Sequence, residues 1–235
     1  MHILIVDQCC KQKDFPNDCS EFDQKVIDQN SREDLINRPD SCGIPANNLY
    51  QGRQQQAISR AVNTLRANGH SVVRLFVSAG FGIVQESTPL PPYNVTFKGM
   101  GKSAIRDRAE KLQMRTDLAR MISDIEQPDV AFLPLGSDYL EAIDLERVLE
   151  TLPDTTNVVL FNQESQTEGE ESLLSLSARN QDASQYGVNA IELKGHYIEK
   201  FASRVANEGP PDDPEDLVSY CRDELTSQTG FDRFS

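Results

Sequence analysis

Four short apolar runs, separated by stretches of helical pattern, constrain the fold of this chain more than any other feature. They occupy residues 2–6, 72–77, 129–135 and 157–161. Each is too short for a buried helix and too continuously apolar for a half-exposed strand, so each reads as a strand covered on both faces. Between the first two, Leu49, Ile58, Ala61, Val62 and Leu65 form a helical stripe that stops at Gly69. Between the next two, Ile105, Ala109, Leu112, Leu118, Met121, Ile122 and Ile125 predict one long helix over 103–126. A further helix is expected from the Gly136 turn to about Leu152. Strands alternating with helices predict an α/β fold: three layers, a mainly parallel central sheet of about four to five strands, and helices on both faces.

At 235 residues the chain suits one such domain. Residues 1–161 are expected to form the core, and 162–183, acidic and serine-rich, a flexible insert. Residues 184–235 would complete the same domain with a strand at 186–193, a helix at 196–207, a helix from Pro214 to Leu225 and a frayed tail. Residues 17–48 are polar and punctuated by Pro39, Gly43 and Pro45, with at most one short helix near 21–29. Loops this long in compact domains are usually functional or mobile.

Three turns fall at strand carboxyl ends, where open α/β sheets hold their ligands. The first, Asp7 to Pro16, offers Cys10 and Lys13. The second is Ser78-Ala79-Gly80-Phe81-Gly82, with a return through Pro92-Tyr93. The third is Gly136-Ser137-Asp138-Tyr139. Glycine is favoured where backbone passes close to another group, so Gly80 and Gly82 are expected to present N–H groups to a ligand. Phe81 and Tyr93 are candidates for stacking, and Tyr50 and Gly52 would lie at a helix start facing the same cleft. The Gly101-Lys102-Ser103 triplet is not a nucleotide phosphate loop, because the leading glycine is replaced by Thr96.

The formal charge of −14 argues against casual binding to phosphate backbones and matches either a halophilic or an ordinary acidic protein. Within it, residues 98–120 carry a local positive excess. Lys102, Arg106 and Arg115 are candidate phosphate contacts; the alternative is a helix laced by i,i+4 pairs such as Asp107–Lys111. Five cysteines occur without a Cys-x-x-Cys pair, so neither a metal site nor a cofactor is expected. An odd count in a chain expected to be cytoplasmic offers no case for a disulfide framework. The start lacks the character of a signal peptide, and no stretch approaches the roughly 20 apolar residues that span a membrane.

Taken together, Leu49-Tyr50-x-Gly52-x-Gln54, Ser78-x-x-x-Gly82-Ile83-Val84 and Pro92-Tyr93-Asn94-Val95-Thr96-Phe97 resemble, in the same order, the motifs of the peroxide-stress protein family YaaA. The chain is more similar still to an uncharacterised bacterial, archaeal and phage domain family of the same plan. That family has a Cys-x-x-Lys start, matched by Cys10 and Lys13, and a Gly-x-x-Tyr turn, matched by Gly136 and Tyr139. A similar plan occurs in archaeosine synthases, which modify a 7-deazaguanine base in tRNA. The resemblance implies an α/β fold with a glycine-lined cleft that binds DNA, RNA or a nucleobase, with DNA protection under peroxide stress or modified-base metabolism as its context. Cys10, Lys13, Tyr50, Gly52, Ser78, Gly80, Phe81, Gly82, Tyr93, Gly136 and Tyr139 would line that cleft. The alternatives are an enzyme on a nucleobase or nucleotide with Lys13 or Cys10 as nucleophile, and a non-catalytic protein-interaction module.

Overall fold

The computed structural model describes residues 1–167 and 172–222. Its elements in chain order begin with β1 (His2–Gln8), α1 (Gln24–Gln29), α2 (Arg32–Ile36), β2 (Ile44–Pro45), α3 (Ala46–Leu49) and α4 (Arg53–Ala67). There follow β3 (Ser71–Ser78), β4 (Gly82–Gln85), β5 (Pro89–Leu90), α5 (Lys102–Lys111), α6 (Met114–Ser123) and β6 (Val130–Phe132). The remainder is α7 (Ser137–Ile143), α8 (Leu145–Thr151), β7 (Asn157–Phe161), β8 (Leu173–Leu176), α9 (Asn180–Gln185), α10 (Ala190–Glu208) and α11 (Pro214–Cys221).

The protein is an α/β fold whose central sheet has six strands in the order β4-β3-β1-β6-β7-β8. All neighbouring pairs are parallel except β3–β4. Alternation along β1 divides the core in two. Leu4 and Val6 face the layer holding Ile105, Leu118 and Ile143; Ile3 and Ile5 face the layer holding Ile58, Leu65, Ile198 and Phe201. The second layer is the pair α4 and α10, packed against each other. Each fully buried leucine or isoleucine contributes about 1.5–3 kcal/mol, so the four strands legible in sequence are also those that anchor the fold. No described helix is long and apolar enough to cross a membrane.

Several boundaries differ from the sequence reading, each for a physical reason. The helix expected over 103–126 is two, broken at Gln113, which takes φ 53°. Ile105 and Ala109 lie one turn apart on the buried face, but Met114 comes five residues after Ala109 and would point away in a continuous helix. The break re-phases the chain so that Met114, Leu118 and Ile122 are buried. The helix after Gly136 is likewise split at Asp144, with φ 61°.

The expected strand at 186–193 is instead a turn running into α10, which begins after Asn189; the Asn189 side chain accepts the Glu192 N–H and caps the helix. The sixth strand, β8, lies where composition predicted an insert. Its four residues, Leu-Leu-Ser-Leu, are a short run flanked by acidic and serine-rich sequence, and backbone pairing with β7 holds them as an edge strand. The last helix ends at Cys221; the centre of that acidic stretch (168–171), the residues 223–225 expected to continue the last helix, and the tail lie outside the described residues.

The 17–48 excursion is more ordered than its composition suggests. It holds α1 and α2, pairs β2 antiparallel with β5, and buries Phe22, Ile27 and Leu35 in the core. Contrary to the sequence expectation, Cys19 and Cys42 form a disulfide, with Cα atoms 5.8 Å apart. The excursion folds back on itself, as the Ser20 N–H to Asp40 carbonyl bond of 2.7 Å shows, and this return brings together two cysteines that are 23 positions apart in sequence.

Gly82 opens β4 with φ +75°, and a Cβ there would stand 2.9 Å from the Leu112 carbonyl oxygen. Gly82→Ala is expected to cost about 1–2 kcal/mol, from the left-handed backbone and the steric conflict together. Urea unfolding would measure it, and a change below a few tenths would contradict this account.

Candidate functional site

The chain leaves β1 towards α4 on one face of the sheet and leaves β6 towards α7 on the other. The crevice between the carboxyl ends of β1 and β6 is therefore a topological switch point, the usual ligand position in such sheets. The two strand ends are joined across it. Gln8 Oε1 accepts the Gly136 N–H at 2.7 Å, and the Tyr139 hydroxyl lies 3.2 Å from both the Cys9 sulfur and the Cys9 carbonyl oxygen. Burial raises the Tyr139 phenol far above its ordinary pKa, so it stays protonated.

One wall is a buried chain of hydroxyls. Tyr93 Oη lies 2.6 Å from Tyr50 Oη and 2.7 Å from Ser78 Oγ. Ser78 Oγ also accepts the N–H groups of Gly80 at 3.3 Å and Phe81 at 3.1 Å. All three hydroxyl residues are essentially inaccessible, and desolvation holds both phenols well above their usual range. Gly80 carries no side chain because a Cβ would stand 2.8 Å from the Tyr93 ring. Phe81 meets Tyr93 edge-on at 5.0 Å. The glycine turn thus spends its N–H groups on Ser78 and its open space on Tyr93, while Gly82 packs on Leu112.

The Cys-Lys loop closes over this wall. Lys13 Nζ sits 4.3 Å from the centroid of the Tyr93 ring and donates to the Cys10 carbonyl at 3.1 Å. Burial lowers the Lys13 pKa. The Cys10 thiol donates to the Gln12 carbonyl at 2.9 Å and receives the Gly52 N–H at 3.2 Å. Desolvation pushes it up to about 11, so at neutral pH it is a thiol and a poor nucleophile. Of the two candidate nucleophiles, Lys13 is the one shifted towards reactivity.

Cys10 and Gly52 open onto a cleft of about 430 Å³. Five of its ten lining residues are carboxamides (Gln8, Gln12, Gln55, Asn180 and Asn189), and the exposed Ile191 also lies on the lining. Beneath it, Asp7 is fully buried and accepts from Arg74 at 2.6 Å, Gln54 at 2.9 Å and Gln55 at 3.2 Å. Arg53, at the start of α4, pairs with Glu192 at 3.3 Å.

Lys102, Arg106 and Arg115 do come together, but elsewhere. They line a second cleft, of about 580 Å³, with Glu141, Asp144 and Glu146. Lys102 and Arg106 both pair with Glu141, and Arg115 lies 3.6 Å from Asp144. The positive excess seen in sequence is thus offset by carboxylates from α7, Asp144 and α8. The alternative pairing partner of Lys111 is also supplied in tertiary structure: it lies 3.6 Å from Asp28. Among the described residues no cluster of His, Cys, Asp and Glu stands ready to hold a metal ion.

The structure therefore places Cys10 and Gly52 on the open cleft, and Gly136 beside it through Gln8. Lys13, Tyr50, Ser78, Gly80, Phe81 and Tyr93 form the adjoining wall, and Tyr139 seals the crevice. Sequence reasoning missed the carboxamide lining and the Asp7–Arg74 pair. Two signals were available: an arginine inside an otherwise apolar strand, and an aspartate at the end of another. Comparisons with protein families, with curated proteins and with solved structures find no match to this chain.

Proposed function

We propose that this protein binds a nucleobase, free or as part of a nucleotide or nucleic acid, in the carboxamide-lined cleft at the β1–β6 switch point. The observation that carries the reading is the lining itself. Gln8, Gln55 and Asn189 are held by bonds within the fold, which leaves Gln12 and Asn180 to present a paired donor and acceptor that match the hydrogen-bonding edges of bases, and a cleft of about 430 Å³ lies within the usual range for small ligands. Ile191 and Cys10 supply apolar contact for a flat ring. The resemblance to nucleic-acid and base-modifying families points the same way. A charge of −14 and the carboxylate-paired bases of the second cleft favour a free base or nucleoside over a long polyanion.

A second reading is an enzyme acting on such a base, favoured by the desolvated amine of Lys13 beside the cleft-lining Cys10. Lys13→Ala separates the two, since loss of turnover with retained binding would assign catalysis.

The test is calorimetric titration of bases, nucleosides and oligonucleotides over a salt series. Base binding that changes little with salt is expected. Gln12→Ala and Asn180→Ala should each weaken it by roughly 2–12-fold, the worth of one hydrogen bond. Absence of binding by every base and nucleoside, at every ionic strength, would overturn the reading.

A further inference from the structure

A third cleft, of about 350 Å³, runs beside α4, and none of its lining residues lines either cleft described above. Arg60, Asn63 and Arg66 follow one another three residues apart on α4 and so share a face of it. Asn47 and Asn48 of α3 and Glu86, just after β4, also belong to the lining. The Asn47 N–H to Glu86 carbonyl bond of 3.0 Å ties these two segments together. Arg74, inside β3, lies on the lining as well, with a side chain only 1% exposed.

The balance of charge is the reverse of that in the rest of the chain. Three guanidinium groups line the cleft with one carboxylate, Glu86. The carboxylates that pair with Arg60 and Arg74, Glu199 and Asp7, lie outside the lining. By contrast, Lys102, Arg106 and Arg115 share their cleft with as many carboxylates. The guanidinium donors are also in surplus. Arg60 uses Nε and Nη2 on Glu199, and Arg66 uses Nη2 on the Val72 carbonyl and on Glu86. Nη1 of each has no partner among the described residues, and the side chains of Arg60 and Arg66 are 56% and 40% exposed. Arg74 Nε and Asn47 Oδ1 are buried without a partner, where buried polar groups normally have one. Among the lining residues only Val62 is apolar, and the side chains of Asn48 and Asn63 take part in no hydrogen bond among the described residues.

We infer that this cleft binds a small hydroxylated anion of the sugar-phosphate class, its phosphate on Arg60 and Arg66 and its hydroxyls on Asn48 and Asn63. A guanidinium presents a fork of N–H donors that matches phosphate oxygens. A carboxamide offers the donor and the acceptor that a hydroxyl uses. Arg74 adds positive charge from the floor. The lining has no aromatic residue for a base to stack on, which suits a polar, hydroxylated ligand.

The experiment is calorimetric titration of ribose 5-phosphate, ribose, inorganic phosphate and gluconate against the full chain and against Arg60→Gln, Arg66→Gln and Arg120→Gln. Arg120 carries the same charge but sits on α6, paired with Asp117 and Asp124. Ribose 5-phosphate is expected to bind more tightly than the other three, and less tightly as salt rises. Arg60→Gln and Arg66→Gln should each weaken it by about tenfold or more, the worth of a hydrogen bond to a charged group. Arg120→Gln should change it by less than about twofold, because an exposed charge at a distance is screened. All three variants are expected to stay folded, since surface ion pairs contribute little, and thermal unfolding checks this. Ribose, phosphate or gluconate binding as tightly as ribose 5-phosphate overturns the sugar-phosphate assignment. No binding of ribose 5-phosphate at low salt, or the same affinity in all three variants, overturns the site itself. None of these outcomes bears on the base cleft.

Discussion

Asp7→Ala is expected to destabilise the protein by about 3–5 kcal/mol, the cost of leaving a buried charge without its partner. Asp7 is fully buried and the Arg74 side chain is 1% exposed, so water cannot replace the lost carboxylate. Arg74 Nη2 donates to Asp7 Oδ2 at 2.6 Å; Asp7 Oδ1 takes Gln54, Gln55 and the Gln8 N–H. Removing the carboxylate strands a guanidinium and several donors at once, at the point where β1, β3 and α4 meet. The double variant Asp7→Leu with Arg74→Met removes both charges and is expected to be clearly more stable than either single variant. Urea unfolding of the four proteins measures this coupling. A cost below about 1 kcal/mol for Asp7→Ala would mean that the pair does not hold the cleft floor as described.

The second large effect is at Tyr93. Its hydroxyl bridges those of Tyr50 and Ser78, at 2.6 and 2.7 Å, and its ring fills the space that Gly80 leaves open. Tyr93→Phe keeps the ring and removes the bridge. Two buried hydroxyls then lose a partner, at a cost of about 1–3 kcal/mol. Tyr93→Ala also removes the ring against Phe81 and under Lys13, and should cost about 3–5 kcal/mol from the cavity. Thermal unfolding gives the ranking: alanine far worse than phenylalanine, phenylalanine worse than wild type. Equal effects would show that the hydroxyl alone matters; a neutral Tyr93→Phe would show that the hydroxyl chain contributes nothing net.

These two positions differ in how visible they were beforehand. Tyr93 stood out because a proline-rich return after a glycine turn has few other uses than to bring an aromatic back to that turn. Asp7 and Arg74 did not, since one looked like the first polar residue after a strand and the other like a flaw within one. Their partnership needs the parallel pairing of β1 with β3, in which Asp7 faces Phe76 and Ile5 faces Arg74. No pattern within either strand encodes that register. The Cys19–Cys42 bond and the β8 strand were hidden for the same reason: both arise from contacts made with distant segments by short stretches set in polar sequence.

The alternation of short apolar runs with amphipathic helices determined by itself that this protein is a parallel α/β fold, because burial on both faces leaves such runs no other partner. The glycine turn, the Cys-Lys loop and the Gly136 turn were likewise assigned to strand carboxyl ends from local chemistry alone. Tertiary structure decided which of these opens onto a cleft. It turned Ser78, Tyr50 and Tyr93 inward into a closed hydroxyl chain and matched the basic residues of α5 and α6 with carboxylates. It also brought carboxamides from β1, α4, α9 and the start of α10 to one cleft above Asp7. Hydrogen bonds and ion pairs between distant segments are set by distance and burial, and those quantities exist only once the sheet has ordered its strands.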